Sequence, residues 1–228
     1  MRGLLERLRT QLTPLDFGGR RIGGGCFVLG SAPSAVWPDP RFADWVLLTV
    51  NAAQAAEPPT PRIPDITLMS GQMLGDDPVN REAKRVLRGL STSELWLIER
   101  GITKDAAIEV LRSLSYKYGS LGVISRRQRS RITYRQLGVD AASGVGEEKI
   151  STGVFAALLA LEQGASKVIL SGISLTADGH AYNDLGHVRH HVNSDQRALA
   201  VAIGRGLPLF TLCPVFSKAS GVPLWAWP

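Results

Sequence analysis

The apolar positions of this chain fall into short continuous runs separated by amphipathic stretches. "CFVLG" (26–30), "WVLLTVN" (45–51), "ITLMS" (66–70), "ELWLIE" (94–99), "LGVIS" (121–125), "KVILSGIS" (167–174) and "PLFTLC" (208–213) have the length of strands. Several are apolar without alternation, as when both faces of a strand are covered. Between them, "VNREAKRVLRGL" (79–90), "KDAAIEVLRSLSYKYG" (104–119), 151–163 and "NSDQRALAVAIGRG" (193–206) repeat at helical spacing. The last is expected to be capped by Asn193 or Ser194 and closed by Gly206. Strands alternating with helices predict an α/β, Rossmann-like, mostly parallel sheet flanked by helices. No internal repeat or low-complexity segment interrupts it, and "EPPTPRIP" (57–64) reads as a surface connection.

The start of the chain departs from this pattern. Leu4, Leu5, Leu8 and Leu12 share one helical face with Arg2, Arg7 and Arg9 around them, and "FGGRRIGGG" (17–25) reads as a link. Residues 1–25 are therefore expected to be a basic amphipathic N-terminal extension. Residues 26–228 are expected to form one domain with a short lid at about 175–192. The N-terminal helix suits an anionic membrane surface, or packing on the domain or on a partner subunit.

Composition narrows the classes. At 44% hydrophobic residues the chain has enough to bury a core, and no run is long enough to span a bilayer. The start lacks the apolar region and small-residue cleavage site of a signal peptide. Cys26 and Cys213 lie in or beside apolar runs and read as buried thiols, so a cytoplasmic location is the expectation. The net charge of +6 favours a polyanion, an anionic membrane face or a phosphorylated substrate. The run "RRQRSR" (126–131) is either a solvated basic face or a phosphate-contacting surface, but no nucleic-acid-binding motif accompanies it and no nucleic acid is expected.

In open parallel sheets ligands bind outside the carboxyl ends of the strands. Small or polar residues follow three strands, in "LGSAPS" (29–34), "TVNAAQ" (49–54) and "LSGIS" (170–174). Ser151, Thr152 and Gly153 should form the first turn of the 151–163 helix, with free N–H groups and the positive dipole end exposed. That turn is either a phosphate cradle or a helix whose Ser151 acts only as cap. All four histidines, His180, His187, His190 and His191, fall within twelve residues. With Asp178 and Asp184 nearby they read as a zinc site, as a general base, or as a solvated loop; the spacing fits no standard zinc pattern. "GDDP" (75–78) reads as a turn or helix cap.

The order of these motifs resembles the bacterial sialyltransferases of glycosyltransferase family 42, which use CMP-sialic acid. The family's Gly-Asn-Gly-Pro-Ser turn corresponds to "GSAPS" (30–34), and its Asn after the second strand to Asn51. Its Arg-Ile-Thr-Ser-Gly and Ser-Gly-Ile-Asp motifs correspond to "KISTG" (149–153) and "LSGIS" (170–174). Its loop Tyr corresponds to Tyr182, and its His with the following Asn-Thr-Asp to "HHVNSDQRAL" (190–199). The match is strongest over 147–214 and rests on motifs alone over 26–54.

This resemblance implies a sialyltransferase-like variant of the GT-A fold and an inverting, metal-independent transfer, with no cofactor beyond the CMP-sugar donor. It implies His190 as base, with Tyr182 and Lys149 completing the catalytic set. Gly30, Ser31, Ala32, Pro33, Ser34, Asn51, Ser151, Thr152, Gly153, Gly172 and Thr176 would hold the donor nucleotide. The implied partners are a CMP-activated sugar and a glycan or lipid-linked acceptor of surface-polysaccharide synthesis, at the inner membrane face, with a homo-oligomer and an anionic membrane surface as further partners. Four departures bear on activity. Thr176 stands where the family has a second phosphate-binding Tyr, Lys149 replaces Arg, Ser31 replaces Asn, and the segment between Tyr182 and His190 is much shorter than the family's lid. The alternatives are an ATP- and magnesium-dependent pterin diphosphokinase-like enzyme, which shares a Gly-x-x-Pro-Ser-type turn, or a degenerate non-catalytic homologue.

Overall fold

A computed structural model of the chain describes residues 16–56, 62–141, 149–183, 185 and 190–227. Seven strands form one sheet: β1 (Gly24–Leu29), β2 (Val46–Val50), β3 (Ile66–Ser70), β4 (Ser91–Ile98), β5 (Lys117–Ile124), β6 (Ala165–Ser171) and β7 (Leu209–Thr211). Their order is β5-β4-β3-β2-β1-β6-β7, and every pairing is parallel. The helices that position the site are α1 (Pro78–Leu87), α2 (Lys104–Ser113), α3 (Arg126–Leu137), α4 (Thr152–Glu162), α5 (Val192–Gly204) and α6 (Pro214–Ser220). The α/β expectation holds, and the sheet is wholly parallel.

The continuous apolar runs follow from burial on both faces. Cys26 and Val28 of β1 enter one core cluster, while Phe27 and Leu29 enter the opposite one. Trp96 and Ile98 of β4 likewise face away from Leu95 and Leu97. Helix α4 is apolar all round because it is enclosed: Val154, Phe155, Ala156, Ala157, Leu158, Leu159 and Ala160 are all buried.

Strands β2 to β5 build outward from one side of β1, and β6 returns to its other side. The point of reversal is where a doubly wound sheet opens a crevice. Here the two backbones touch. Gly30 N donates to Ser171 O at 2.8 Å, and Ala32 N donates to Gly172 O at 2.8 Å. A Cβ on Gly30 would overlap Gly172 O, and one on Gly172, at φ +63°, would overlap Gly30 O. Both positions require glycine.

Several expectations about elements change. The 104–119 helix stops at Ser113; Ser115 turns at φ 55°, and β5 begins at Lys117. Strand β5 thus contains the expected 121–125 strand up to Ile124, and its first half, on the exposed sheet edge, lacks an apolar run. The basic run 126–131 is the first half of α3, and "PVFSKAS" (214–220) is α6, neither of which was expected as a helix. Helix α5 starts after His191, not at Asn193 or Ser194, because Ser194 Oγ bonds to Lys149 O at 2.7 Å. The glycine-rich segment after residue 16 packs on the domain: Phe17 meets Trp96 edge-on at 5.0 Å, Val123 N donates to Phe17 O, and Ile22 N donates to Gln163 O. The N-terminal leucines and arginines at 2–12 lie outside the described residues. Cys26 is fully buried, which pushes its thiol pKa up, and Cys213 is half-buried. No described helix is long and apolar enough to cross a membrane.

Candidate active site

A cleft of about 550 Å³ runs along the carboxyl ends of the central strands. Of the residues expected at a site, Gly30, Ser31, Asn51, Lys149, Ser151, Thr152, Gly153, Gly172, Tyr182 and His190 line it. Ala32, Pro33, Ser34 and Thr176 do not: Ala32 is buried beneath Gly172, and the other three are exposed. His187 and Asp184 lie outside the described residues.

One end of the cleft sits over the β1/β6 reversal. Ser31 organises it. Its Oγ lies 2.8 Å from His180 Nδ1, its carbonyl accepts from Ala181 N at 2.8 Å, and its side chain bonds Tyr182. The His180 and Tyr182 rings stack at 4.9 Å with 6° between planes. The 180–182 segment is thereby pinned to the turn after β1. Burial, then the charge of Glu82, raises the Tyr182 phenol to about 12, so its O–H remains a donor at any ordinary pH. Asn51 follows β2 at φ 52°, a conformation asparagine tolerates. Its Oδ1 accepts from Ser70 N at 2.9 Å, which turns the amide NH2 toward other partners.

The α4 terminus is partly committed. Ser151 caps it, accepting from Val154 N at 3.2 Å, so the cap role is real. Ser151 N donates to Asp195 Oδ1 at 2.7 Å. Thr152 and Gly153 occupy the first turn, where N–H groups have no intrahelical acceptor, and Ser151 Oγ keeps its hydrogen to donate. The turn is both capped helix and donor surface. Asp77 in "GDDP" caps α1 by accepting from Asn80 N at 2.9 Å, as the turn-or-cap reading expects.

The other end of the cleft is cationic. Arg100 follows β4, Arg129 projects from α3 and Lys149 precedes α4. Arg129 is 5% exposed, donates from Nη2 to Ile150 O at 2.8 Å, and lies 5.0 Å over the Phe155 ring. Burial and then Arg100 lower its pKa to about 10, against the opposing pull of Asp195. Burial also lowers Arg100 and Lys149, with neighbouring arginines adding to the shift. His191 feels them all: burial first, then Lys149, Arg100, Arg129 and His190 bring it to about 4. It is neutral at pH 7, and its Nδ1 is buried without a partner. Among the described residues no three His, Cys, Asp or Glu side chains converge on a common metal position.

Arg100 and Asp195 had no role from sequence; Arg129 entered only as part of the basic run 126–131, and His180 and His191 only as members of the histidine cluster. A signal for Arg129 was present. Ser125 and Gln128 form a capping box, and Arg129, Ile132, Thr133 and Leu137 recur on one buried helix face. The "RRQRSR" run is therefore not one solvated face; Arg126 and Arg127 are exposed, but Arg129 points inward.

No protein-family model and no curated protein matches the chain by sequence. Solved structures match by shape. The sialyltransferase CstII from Campylobacter jejuni in complex with the substrate analogue CMP-3FNeuAc superimposes with TM-score 0.55 at 13% identity, covering 89% of this chain and 86% of that one. CST-II in complex with trisaccharide acceptor and CMP gives TM-score 0.56 at 13% identity, with 88% and 85% covered. The apo α-2,3-sialyltransferase from Campylobacter jejuni gives TM-score 0.51 at 10% identity, with 94% and 83% covered. The cleft at the β1/β6 reversal thus sits on a sialyltransferase-like fold.

Proposed function

We propose that the protein is a glycosyltransferase that moves a sialic-acid-like or other 2-keto sugar from a CMP donor to a hydroxyl of a surface glycan or glycolipid. Transfer is inverting and metal-independent, and takes place in the cytoplasm at the inner membrane face. The turn after β1, the Asn51 amide and the α4 terminus bind the nucleotide. The acceptor oxygen bonds to the anomeric carbon as the bond from that carbon to the CMP phosphate oxygen breaks. His190 takes the acceptor proton, and CMP leaves with the electron pair. His191, held near 4, is poorly matched to that task at neutral pH, which leaves the role to His190. The leaving phosphate gains charge, and donors fixed in advance stabilise it: the Tyr182 O–H, the Ser151 hydroxyl and the Thr152 and Gly153 amides. Lys149 adds positive charge without the planar fork of an arginine.

The observation that carries this reading is the juxtaposition, in one cleft at the sheet reversal, of Tyr182, the α4 terminus and His190. It is supported by the likeness in fold to proteins solved with CMP and with a CMP-sugar analogue. Calorimetric titration with CMP, and separately with ATP plus magnesium, tests it. CMP binding that survives chelation of divalent ions is the expected result. Binding of ATP only with magnesium would replace the reading with diphosphate transfer, and binding of neither would remove the catalytic claim.

A further inference from the structure

We propose that the Arg100–Arg129–Lys149 end of the cleft is a subsite for an acidic group, a carboxylate or phosphate, carried by the acceptor sugar. The proposal rests on the glycosyltransferase reading above and names the acceptor's chemical class.

The argument begins with Arg129. A buried cation is normally paired and fully hydrogen-bonded, since an uncompensated buried charge is strongly destabilising. Arg129 is 5% exposed, yet its Nε is buried with no partner. The carboxylate acting on it is Asp195, whose Oδ1 already accepts from Ser151 N. Arg100 and Arg129 stand close enough to Lys149 to lower its basicity, and neither Arg100 nor Lys149 makes a side-chain hydrogen bond or ion pair among the described residues. Of the three cations, Arg129 alone is acted on by a carboxylate among the described residues. Packing does not require this; Arg129 lies on a face it shares with Ile132 and Leu137, where an apolar side chain would pack at lower cost.

Position separates Arg100 from the nucleotide. Arg100 follows β4, three strands from β1. At about 4.8 Å per strand that is roughly 14 Å from the Gly30–Gly172 contact. The cations act on His191, next to His190, on the side where the attacking hydroxyl must stand. A 2-keto donor sugar brings one carboxylate, which leaves part of the surplus for the acceptor.

The test compares three small probes by ligand-observed NMR titration: methyl glucuronide, glucose 6-phosphate and neutral methyl glucoside. Each is titrated into the free protein and into protein saturated with the donor analogue CMP-3FNeuAc. At least one acid should bind about tenfold tighter than the glucoside, with analogue bound as well as without it. Arg100→Gln should bring that ratio close to one while the glucoside affinity stays the same, and Lys149→Gln should reduce it. Equal binding of acids and glucoside overturns the proposal, as does a ratio indifferent to both substitutions. Discrimination that vanishes when CMP-3FNeuAc is bound assigns the cations to the donor's carboxylate and also overturns it. If the analogue does not bind at all, the CMP-donor reading fails. The ratio in the free protein then decides the subsite alone: an Arg100-dependent preference for acid upholds it, and none overturns it.

Discussion

The two ends of the cleft are built on opposite principles. At the β1/β6 reversal the polar groups are bonded to one another: Ser31 to His180 and Tyr182, Asn51 to Ser70 N, Gly172 O to Ala32 N. At the β4/β5 end cations gather and polar groups are under-partnered, with Arg129 Nε and the neutral His191 Nδ1 both buried and unpaired. The first end has its geometry fixed before any ligand arrives, so ligand binding there costs little reorganisation. The second stores uncompensated positive charge, which an anion would relieve. Shape is set on one side and field on the other, with His190 among the residues of the same cleft.

Substitutions can break or sharpen this division. The largest effect on rate is expected at His190. His190→Ala should slow transfer by about 10²- to 10⁴-fold with CMP affinity retained; turnover at the parental rate would move the base elsewhere. The largest effect on the preformed end is expected at Gly172. Gly172→Ala places a Cβ against Gly30 O at a positive φ and should cost roughly 3 kcal/mol in denaturant unfolding. Unchanged stability would show that the β1/β6 contact yields easily. Tyr182→Phe removes the Ser31 bond and the phenolic donor and should lower kcat about tenfold, with KM for donor changing less. A raised KM with kcat unchanged would make Tyr182 a binding group only.

The smallest effect belongs to the cationic end and is read in pH. The fold holds His191 neutral down to about 4, while the unfolded chain protonates it near 6.5. Between those values the unfolded state binds more protons, so this group's contribution to stability is complete above pH 6.5 and is lost as the pH falls to 4. His191→Gln should flatten that part of a melting-temperature profile. A profile of unchanged slope would mean that the cations do not act on the imidazole.

The central sheet was legible in the sequence because strands covered on both faces write themselves as unbroken apolar runs, as in 26–30 and 66–70. The second half of β5 was legible in "LGVIS" (121–125), but its first half escaped because an edge segment with Lys117, Gly119 and Ser120 has no such run. Gly122 hides a further constraint, since it makes room for the Phe17 ring, which only tertiary packing reveals. Helix α3 escaped because its inward face begins with an arginine, which a pattern of apolar positions discounts. At the site, strand ends and helix starts were legible because they follow from topology. The partnership of Ser151 N with Asp195, 44 residues apart, has no local signature. Nor does the pinning of 180–182 on Ser31, which depends on the reach of a loop.

The position of β1 at the middle of the sheet also governs how the protein is made. Its first neighbour, β2, emerges from the ribosome soon after it, but the other edge stays bare until 165–171 are synthesised, when Gly24 through Leu29 finally pair with Ala165 through Ser171. At the usual pace of translation that wait is on the order of ten seconds. For that interval the nascent chain carries an unpaired, strongly apolar strand edge, the kind that recruits other chains. The strand that is made first is enclosed among the last, and its shelter in the meantime has to come from chaperones or from the speed of synthesis.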